Sequence, residues 1–577
     1  MDGRVEASAG GAGLYMSLGA SAAGADVTMV APRPDPVPGL LEEAVSGLRW
    51  IGPETGPRGL PRFEIRYEGE RAVYAPADFG AEAVLGPEHL PPLSAGDVVC
   101  VAPLTPRQSL DLARAVRAAG ALAVVTTYEN GIRRDRASVR RAAATADVFL
   151  CNEREGGLLF GQRPRAAPGK ILVVTRGRRG ARLWLGDHEI ALPAVRAATV
   201  DPTGAGDTFA GAFAARMALG DHPAEAGRVA TELAALATEG VGPDKLVSGR
   251  STALIRRVPR SPGVRPCDSR ITAVAKTLRS QAAAVTPFDF TGDVFPPPGH
   301  GRALGFFFAA TVQQFGFWEL KDGAYGGPMY GTVGGRTLKG SDYLWAVCRR
   351  WLQEAPEELD PAGQAALTVD RFTARTRSDS GTSPLRAPES RLAVARDYGR
   401  DMEALSLSPA GVTEIAGSAP QPLKTFFTLM DRIGGYKEDP LRKKSALLAM
   451  ILVQRPERWL VPGPGEELPP IVDYHVQRSA LRLGLIEVTD PALLKTLAAR
   501  RLVSGNAEHQ IRLASAEAVK AVCRESDLPM GAVDRFFFGN RNRCLETETP
   551  LCSTCPADPA CAHRTELFQP VFRTTAY

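Results

Sequence analysis

The sequence has no apolar run as long as the roughly 18 to 20 residues that a membrane-spanning helix requires. Its first ten residues contain a single arginine and no apolar stretch, which excludes a signal peptide there. The net charge of +5 is small for 577 residues, so it permits contact with phosphate groups without requiring a nucleic-acid partner. We therefore expect a cytoplasmic protein with no membrane partner, and a nucleic-acid partner stays open.

Cysteine is scarce over most of the chain and crowded near its end. Five of the nine cysteines are scattered, namely Cys100, Cys151, Cys267, Cys348 and Cys523. The other four lie within residues 544–561, namely Cys544, Cys552, Cys555 and Cys561. In a reducing compartment, clustered cysteines bind metal more often than they form disulfides. The C-terminal cluster therefore predicts a metal centre, with free thiols as the alternative.

The chain is too long for one hydrophobic core, and its composition is that of a globular protein, 44% hydrophobic and 23% charged. Up to residue 245, short apolar runs alternate with helix-length amphipathic segments. This pattern is typical of a doubly wound α/β domain with parallel strands. We expect those strands at residues 97–101, 121–125, 147–151 and 171–174. A hairpin at residues 62–74 is expected to act as a lid.

The pattern changes after residue 245. Residues 246–270 lack periodicity and are rich in Arg, Pro, Ser and Gly, which predicts a linker. Residues 271–577 have mainly helical periodicity and predict a second, mainly α-helical domain. Its best helix candidates are residues 303–313, 343–352, 441–452, 474–485 and 514–523. The polar run 375–391 predicts an exposed loop.

A glycine-rich string, Asp-Pro-Thr-Gly-Ala-Gly-Asp-Thr-Phe, begins at Asp201 and leads into a helix of small residues. Glycines before a helix N-terminus let backbone N–H groups approach an anion, and the helix dipole favours negative charge there. Gly204, Ala205 and Gly206 are therefore candidates for an anion hole around a phosphate of ATP. Asp207 stands at the same helix end, where a carboxylate can accept the proton of a hydroxyl that attacks a γ-phosphate.

This string resembles the signature of the ribokinase-like (PfkB) family of sugar and nucleoside kinases, and the resemblance spans roughly residues 5–245. It implies ATP and Mg²⁺ as cofactors and Asp207 as the catalytic base. Other family motifs match Asn152 and Glu155 for Mg²⁺ and phosphate, Thr175 and Gly177 on the nucleotide side, and Gly10 and Gly11 near the sugar. The first strand of the family, with its sugar-binding Asp, is missing, so the true start lies upstream or substrate binding is altered. A degenerate kinase kept as a scaffold is the alternative.

The four terminal cysteines are separated by seven, two and five residues. The short Cys-x2-Cys spacing is common to iron–sulfur clusters and zinc sites. The asymmetric gaps, with Pro556 after the third cysteine, resemble the cluster loop of endonuclease III-type glycosylases, whose first gap is usually one residue shorter. That resemblance implies a structural [4Fe–4S] cluster held by residues 544–561, and zinc stays open.

Asp473 stands where a helix is expected to begin, in the string Val-Asp-Tyr-His. A helix N-terminus stabilises a carboxylate, which there can steady an oxocarbenium-like sugar or orient a water molecule. Taken alone, Asp473 also fits a plain N-cap. The string is similar to the catalytic motif of helix-hairpin-helix glycosylases. The segment in place of their hairpin, residues 433–446, departs from the DNA-binding form.

Short motifs between residues 314 and 474 resemble the queuosine-5′-phosphate N-glycosylase family, over roughly residues 270–500. The resemblance implies a helical glycosylase that releases a base from a nucleotide, with Asp473 as its catalytic carboxylate. The residues then implied to stack on the base are Phe317, Trp318 and Tyr474. Those implied to hold the 5′-phosphate are Lys339, Lys444, Arg442 and Lys443. Core packing of the aromatic residues and solvent exposure of the cations are the alternatives.

Together the resemblances predict a bifunctional nucleoside salvage enzyme with a small-molecule substrate. Residues 1–245 would phosphorylate a queuosine-like nucleoside, and residues 271–577 would hydrolyse the N-glycosidic bond of the 5′-nucleotide. The alternatives are a DNA-repair base-excision glycosylase fused to a separate sugar kinase, and a non-catalytic binding protein. The sequence leaves open the base, the passage of substrate between the sites and the oligomeric state, including a dimer of the kinase domain.

Overall fold

A computed structural model describes residues 7–68, 71–74, 78–161, 164–248, 263–282 and 285–577. The chain divides into two compact units, Met1–Arg256 and Arg257–Tyr577. The predicted linker, residues 246–270, spans this division, and its residues 249–262 lie outside the described part of the chain. Within the described ranges, no helix is both long enough and apolar enough to cross a membrane.

The N-terminal unit alternates strands with helices. Its strands are β1 (Thr28–Val30), β2 (Arg33–Pro34), β3 (Arg49–Ile51), β4 (Glu54–Thr55), β5 (Ile65–Glu68), β6 (Arg71–Tyr74), β7 (Val98–Val101), β8 (Leu122–Val125), β9 (Val148–Asn152), β10 (Ile171–Thr175), β11 (Ala181–Leu185) and β12 (His188–Leu192). Its helices are α1 (Ala12–Ala22), α2 (Gly39–Val45), α3 (Pro106–Ala118), α4 (Glu129–Arg134), α5 (Arg136–Thr145), α6 (Glu153–Phe160), α7 (Ala205–Ala218), α8 (Pro223–Ala237) and α9 (Asp244–Ser248).

Six strands form the central sheet of this unit, in the order β12-β11-β10-β9-β8-β7. Strands β7 to β10 run parallel, and β11 and β12 continue the sheet antiparallel. The four parallel strands coincide with the four apolar runs predicted as strands, so this prediction is confirmed. Strands β5 and β6 pair as the predicted hairpin, whose residues 69–70 lie outside the described ranges. Its action as a lid stays a prediction.

Helices cover both faces of the sheet, because successive side chains of a strand point to opposite sides. On one face, Val124 and Leu150 pack in a core with helices α1, α7 and α8. On the other face, Val125 and Phe149 pack with helices α3, α5 and α6. The unit therefore has the predicted doubly wound α/β architecture. In such sheets, ligands bind at the carboxyl ends of the parallel strands.

The C-terminal unit is largely helical, as predicted. Its helices are α10 (Asp268–Ser280), α11 (Ala303–Val312), α12 (Gly340–Glu354), α13 (Pro361–Ala365), α14 (Val369–Arg375), α15 (Pro388–Ala404), α16 (Pro409–Gly417), α17 (Pro422–Met430), α18 (Lys443–Gln454), α19 (Tyr474–Leu483), α20 (Pro491–Ala498), α21 (Gly505–Ser526) and α22 (Met530–Gly539). Its short strands are β13 (Val264–Pro266), β14 (Trp318–Lys321), β15 (Ala324–Pro328), β16 (Tyr330–Val333), β17 (Arg336–Lys339) and β18 (Ile486–Val488).

Two apolar cores organise this unit. The larger surrounds helix α11, whose Phe306, Phe307 and Phe308 are fully buried. The second packs helices α10, α19, α21 and α22 against one another. Strand β13 pairs antiparallel with β18, so that Val264 lies opposite Val488. This pairing joins the start of the unit to the segment that follows α19.

The prediction of an exposed loop at residues 375–391 is wrong at its C-terminal end. Arg391 belongs to the first turn of helix α15 and is fully buried. Its guanidinium donates hydrogen bonds to the carbonyl oxygens of Gln313, at 2.8 Å, and Arg386, at 2.9 Å. It also lies 4.4 Å from the centre of the Phe315 ring. Hydrogen bonds to carbonyl oxygens and contact with an aromatic ring make the burial of a charged side chain tolerable.

Candidate active sites

Helix α7 begins at the glycine-rich string, with Gly204 as its N-cap residue. Gly204 has a φ of 75°, in the left-handed region, and a Cβ there would lie 2.4 Å from the ring of Tyr15. Both the backbone conformation and the ring therefore exclude a side chain at this position. At Gly206, which is exposed, a Cβ would meet nothing within 4 Å. The helix end at Gly206 is thus open to an anion such as phosphate.

Helices α1 and α7 cross with their backbones in direct contact. A Cβ at Gly19 of α1 would lie 2.6 Å from the carbonyl oxygen of Thr208, in α7. A Cβ at Gly211 of α7 would lie 1.9 Å from the carbonyl oxygen of Met16, in α1. Only glycine permits this approach at both points.

The crossing brings the start of α1 close to the start of α7. Gly11 is the N-cap of α1, with a φ of 100°, and its carbonyl oxygen accepts a hydrogen bond from Tyr15 N at 3.2 Å. The ring of the same Tyr15 packs against Gly204. Gly10 is exposed, and a Cβ on Gly10 or Gly11 would meet nothing within 4 Å. The structure thus brings the two predicted sugar-side glycines to the same end of the unit as the anion hole.

The carboxyl ends of β9 and β10 carry the residues predicted to place Mg²⁺ and the nucleotide. Thr175 lies opposite Asn152 in the parallel register, and each is the last residue of its strand. Asn152 Oδ1 accepts a hydrogen bond from Glu155 N, and Asn152 N donates to the Glu155 carboxylate, both at 2.9 Å. Gly177 follows β10 with a φ of 55°. This reciprocal cap of helix α6 holds the Glu155 carboxylate, which is buried, at the strand ends.

Asp207 and Glu155 share an electrostatic environment. Burial raises the pKa of Asp207 to about 7. Burial also raises the pKa of Glu155 to about 7, against the hydrogen bond from Asn152 N, and the negative charge of Asp207 adds to the rise. A base with a pKa near neutrality can both accept and release a proton at physiological pH. The arrangement combines an anion site, a base and a second carboxylate that can bind a cation, as phosphoryl transfer requires.

In the C-terminal unit, Asp473 is the N-cap of helix α19, which begins where the sequence predicts. Its Oδ1 accepts hydrogen bonds from His475 N at 2.8 Å and Val476 N at 3.1 Å. The side chain is 9% exposed. Both bonds end on one oxygen, and the helix dipole favours the negative charge there. This geometry is compatible with two roles for Asp473, that of a helix N-cap and that of a catalytic carboxylate.

Two further ionisable groups interact with Asp473. Lys443 is buried and donates to the carbonyl oxygen of Gln314 at 2.9 Å. Burial lowers the pKa of Lys443, and the charge of Asp473 opposes this shift. In helix α22, burial raises the pKa of Asp534 to about 8, with a further rise from Asp473. Burial therefore favours the protonated form of Asp534, and the charge of Asp473 acts in the same direction. The sequence gives no signal that singles out Asp534.

Lys444, predicted to hold a phosphate, has different surroundings. Its Nζ donates to the carbonyl oxygen of Gly435 at 2.9 Å and lies 4.7 Å from the centre of the Phe315 ring. The side chain is 2% exposed, and burial lowers its pKa to about 7. Of the two adjacent lysines, Lys443 is the one that interacts with Asp534. The charge of Lys443 lowers the pKa of Asp534, whereas the charge of Asp473 raises it.

The three aromatic residues predicted to stack on a base are all buried. Trp318 and Tyr474 belong to one small core, whereas Phe317 belongs to the large core around α11. The ring of Tyr474 lies 4.2 Å from that of His475, and the ring of Trp318 lies 5.6 Å from that of Tyr325. The structure therefore packs the side chains of Trp318 and Tyr474 in one core and the side chain of Phe317 in another.

Lys339, the last residue of β17, forms an ion pair of 3.0 Å with Glu546. Glu546 is 3% exposed, and its Oε2 also accepts a hydrogen bond from the Tyr325 hydroxyl at 3.0 Å. Its Oε1 lies 3.5 Å from His475 Nδ1 and 3.6 Å from Arg478 Nη1. Among the described residues, Oε1 has no hydrogen-bond partner of its own. Sequence reasoning misses Glu546, because nothing but its place in the cysteine segment marks it.

The four terminal cysteines line one small, partly open cavity of about 30 Å³. Arg482 donates to Cys544 Sγ at 3.2 Å, and His563 N donates to Cys561 Sγ at 3.3 Å. Hydrogen bonds of this kind stabilise thiolates that bind iron. The four sulfur donors and the hydrogen bonds to two of them fit an iron–sulfur cluster.

A single zinc ion fits this cavity less well. Four thiolates on one tetrahedral zinc ion lie about 3.8 Å apart, because each Zn–S bond is about 2.3 Å long. Among the residues that the structure describes, the metal-binding side chains whose ligand atoms lie within 4.8 Å of one another are Cys552, Asp558 and His563. His563 and Asp558 also form a hydrogen bond with each other, at 2.8 Å. Of the four cysteines, only Cys552 belongs to this group of described residues, so the four sulfur atoms do not have the spacing of one tetrahedral zinc ion.

The turn between helices α17 and α18 stands in place of the DNA-binding hairpin of endonuclease III-type enzymes. Ile433 and Tyr436 in this turn are 0% and 1% exposed, and Gly434 is buried between them. A Cβ at Gly434 would lie 2.5 Å from Asp397 Cβ, and Gly434 N donates to Asp401 at 2.7 Å. The backbone N–H groups of a DNA-binding hairpin must reach a phosphate. This turn is packed inside the unit instead.

Comparisons with known proteins bear on the N-terminal unit. Residues 68–248 match the family model "pfkB family carbohydrate kinase". A cytidine kinase of Thermococcus kodakarensis is 29% identical over 249 residues, which are 40% of this chain and 88% of that protein. A ribokinase of Bacillus subtilis is 34% identical over 102 residues, 17% of this chain and 34% of that protein.

Among solved structures, the Burkholderia thailandensis nucleoside kinase in complex with inosine is 20% identical, with a TM-score of 0.35 over 43% of this chain and 89% of that one. The family match covers Asn152, Glu155 and the whole glycine-rich string up to Asp207. The same residues form the anion site and the carboxylate pair described above. The N-terminal unit therefore carries a PfkB, ribokinase-like carbohydrate or nucleoside kinase domain.

Proposed function

We propose that the chain is a bifunctional nucleoside salvage enzyme. Its N-terminal unit phosphorylates the 5′-hydroxyl of a modified, queuosine-like nucleoside with ATP, and its C-terminal unit hydrolyses the N-glycosidic bond of the 5′-nucleotide. The observation that carries the proposal is that each unit presents an aspartate at the N-terminus of a helix, Asp207 on α7 and Asp473 on α19.

In the first reaction, the nucleoside hydroxyl attacks the γ-phosphorus of ATP and the bond to the β-phosphate oxygen breaks. Asp207 accepts the hydroxyl proton, and the open helix end at Gly206 binds the phosphate in the anion hole formed with Gly204 and Ala205. Mg²⁺ would be held on the side of Asn152 and Glu155, where it neutralises phosphate charge. Gly10 and Gly11 leave room for the ribose, and Thr175 and Gly177 border the nucleotide.

In the second reaction, the bond between ribose C1′ and the base nitrogen breaks, and water supplies a hydroxyl to C1′. Asp473 stabilises the positive charge that develops on the sugar and orients the water. Lys443 lies within its electrostatic influence, and Asp534 keeps a proton that the departing base can take up. The remaining proton of the water restores the one that Asp534 gave to the base. The products are the free base and ribose 5-phosphate, so atoms and charge balance.

For the cavity at residues 544–561, we propose a [4Fe–4S] cluster with Cys544, Cys552, Cys555 and Cys561 as ligands. When bound, such a cluster cross-links the end of the chain to helices α19 and α22 and stabilises the unit. The hydrogen bonds that Cys544 Sγ and Cys561 Sγ accept support a metal centre here, and the gaps of seven, two and five residues between the cysteines favour the cluster over zinc.

The experiment that tests the proposal follows phosphorylation and base release together. Purified protein is incubated with queuosine, Mg²⁺ and either ATP or no nucleotide, and nucleoside, nucleotide and base are separated by chromatography. We expect base release only with ATP. Asp207→Asn should release base from queuosine 5′-phosphate but not from queuosine, and Asp473→Asn should accumulate the 5′-phosphate. Failure to release base from either compound would reject the glycosylase half.

A repair glycosylase attached to a separate sugar kinase is the competing assignment. The burial of the turn between α17 and α18 argues against it, because that turn cannot offer its N–H groups to a DNA phosphate. Excision from damaged duplex DNA, with binding that weakens steeply as salt rises, would favour the competing assignment.

A further inference from the structure

One face of helix α19 contacts the start of the cysteine segment, which comprises residues 544–561. His475, Arg478 and Arg482 follow one another at intervals of three and four residues, so they lie on the same face. Arg482, in the last turn, donates to Cys544 Sγ at 3.2 Å and to the Leu545 carbonyl oxygen at 2.9 Å. The helix capped by Asp473 and the first residues of the cysteine segment therefore form one hydrogen-bonded assembly.

Arg478 continues this contact one turn closer to Asp473. Its Nε donates to the Cys544 carbonyl oxygen at 3.3 Å, and its Nη1 lies 3.6 Å from Glu546 Oε1. Its Nη2 lies 3.1 Å from Nδ1 of His475. Burial and the charge of Arg478 lower the pKa of His475, so the imidazole is neutral and can accept this bond. A continuous path of contacts thus leads from Cys544 to the first turn of α19.

Glu546 contacts Arg478 with one carboxylate oxygen and Lys339 with the other. Its Oε2 lies 3.0 Å from the Lys339 ammonium in an ion pair and accepts a hydrogen bond from the Tyr325 hydroxyl at 3.0 Å. The carboxylate is buried, whereas the Lys339 side chain is 24% exposed. An ammonium group has three N–H donors, and only one is needed for this ion pair. Glu546 therefore fixes the direction of a partly exposed cation without enclosing it.

We propose that Glu546 is a positioning residue, through which the cysteine segment orients Lys339 toward the 5′-phosphate of the glycosylase substrate. The inference rests on the proposed function. Cys544 would be held in place when it binds metal, which would fix the backbone two residues before Glu546, and Glu546 contacts Lys339 and the adjoining face of α19. Occupation of the four cysteines and affinity for phosphate are then coupled through a single carboxylate.

The test compares Glu546→Gln with Glu548→Gln, which alters an exposed carboxylate of the same segment. Ribose 5-phosphate and ribose serve as calorimetric probes of the full-length protein, since they differ only in the phosphate. Both units of the full-length protein could bind ribose 5-phosphate. The part of the binding that is lost in Lys339→Ala is assigned to the site beside Lys339, and the part that remains is assigned to the kinase unit. Glu546→Gln should weaken the part assigned to the site beside Lys339 roughly tenfold, because the ion pair with the buried carboxylate orients the ammonium. Glu548→Gln and the binding of ribose should not change.

Two further readouts separate positioning from general structural support. KM for the nucleotide should rise roughly tenfold in Glu546→Gln while kcat changes less than about twofold, as expected when an interaction contributes to binding alone. Iron content and visible absorption should equal those of the wild type. In the Lys339→Ala background, Glu546→Gln should have no further effect on binding.

Equal behaviour of Glu546→Gln and Glu548→Gln would overturn this inference while the proposed function stands. So would a loss of iron in Glu546→Gln, because Glu546 would then support the metal centre, or a tenfold effect that persists without Lys339. If wild-type protein binds ribose 5-phosphate no better than Lys339→Ala does and hydrolyses no nucleotide, the proposed function fails together with the inference.

Discussion

Gly204 and Tyr15 are packed so closely that a Cβ on Gly204 would lie 2.4 Å from the Tyr15 ring. Gly204→Ala should therefore lower the free energy of unfolding by roughly 1 to 3 kcal/mol and abolish kinase activity, because the φ of 75° and the ring both oppose a side chain. Urea unfolding and an ADP-release assay measure the two effects. The matched change Gly206→Ala, where a Cβ meets nothing within 4 Å, should leave the free energy of unfolding within about 1 kcal/mol of the wild type. Equal losses of stability in both variants would contradict the assigned packing.

Asp207 makes the stability of the protein depend on pH. In the folded protein it keeps its proton up to about pH 7, whereas its ordinary pKa is 3.8. Between these values the folded state binds more protons than the unfolded state, so the free energy of unfolding falls as pH rises. Asp207→Asn removes this fall and should raise the free energy of unfolding by roughly 1 to 3 kcal/mol at pH 8, with no gain at pH 4.

Urea unfolding at both pH values measures this effect, and Asp26→Asn, at an exposed position, is the control. Wild-type kcat/KM for phosphorylation should rise with pH through about 7, as the base loses its proton. A stability gain for Asp207→Asn that is the same at both pH values would show that the carboxylate is not desolvated.

Two substitutions of Asp473 separate capping from catalysis. Asparagine caps a helix about as well as aspartate, so Asp473→Asn should change the free energy of unfolding by less than about 0.5 kcal/mol, whereas Asp473→Ala should cost about 1 kcal/mol. Both variants should lose base release and keep phosphorylation, because neither changes the kinase unit. Thermal unfolding and the base-release assay give the two readouts. If Asp473→Asn releases base at a rate near that of the wild type, Asp473 is a cap alone.

The cysteine cavity predicts a metal content. Protein purified without oxygen should contain about four iron and four sulfide per chain, as expected for a [4Fe–4S] cluster. Cys552→Ala and Cys555→Ala should lose most of both, together with visible absorption and thermal stability. Cys267→Ala, outside the cavity, should keep them. One zinc per chain, without iron or sulfide, would contradict the cluster.

The pH dependence that Lys444 gives to the free energy of unfolding should have the opposite sign to that of Asp207. Burial lowers its pKa from 10.5 to about 7, so between these values the unfolded state binds more protons and the free energy of unfolding rises with pH. Lys444→Met should therefore be more stable than the wild type near pH 7, and the difference should shrink toward pH 10. Lys495→Met, in helix α20, is the control. A rise in KM for the nucleotide with no change in stability would favour a role in substrate binding instead.

The parts of the fold that the sequence predicts best are those with local causes. The strand runs at residues 122–125 and 148–152 are short, apolar and bounded by turns, and the string around Gly204 determines the shape of a helix end within nine residues. The Asn152–Glu155 cap is local in the same way. Such features depend on neighbours in the chain, so the pattern is enough.

Features with long-range causes escape the sequence. Arg391 lies in a polar run, yet it is fully buried because helix α11 ends where its carbonyl oxygens meet the guanidinium. The pairing of Lys339 with Glu546 joins a β-hairpin to the cysteine segment, and neither residue marks the other. Which of the two adjacent lysines interacts with Asp473 also depends on a long-range feature. Lys443 and Lys444 leave helix α18 in different directions and donate to different carbonyl oxygens, those of Gln314 and Gly435.

The crossing of α1 and α7 at Gly19 and Gly211 has a consequence for the spacing of the proposed kinase site. Side chains between two helices can change rotamer and let the helices slide, but main chain resting on main chain cannot. This backbone contact therefore fixes the distance between Gly11, at the start of α1, and Gly204, at the start of α7. Under the proposed function, the sugar-side glycines and the anion hole would therefore keep the same spacing whichever nucleoside binds.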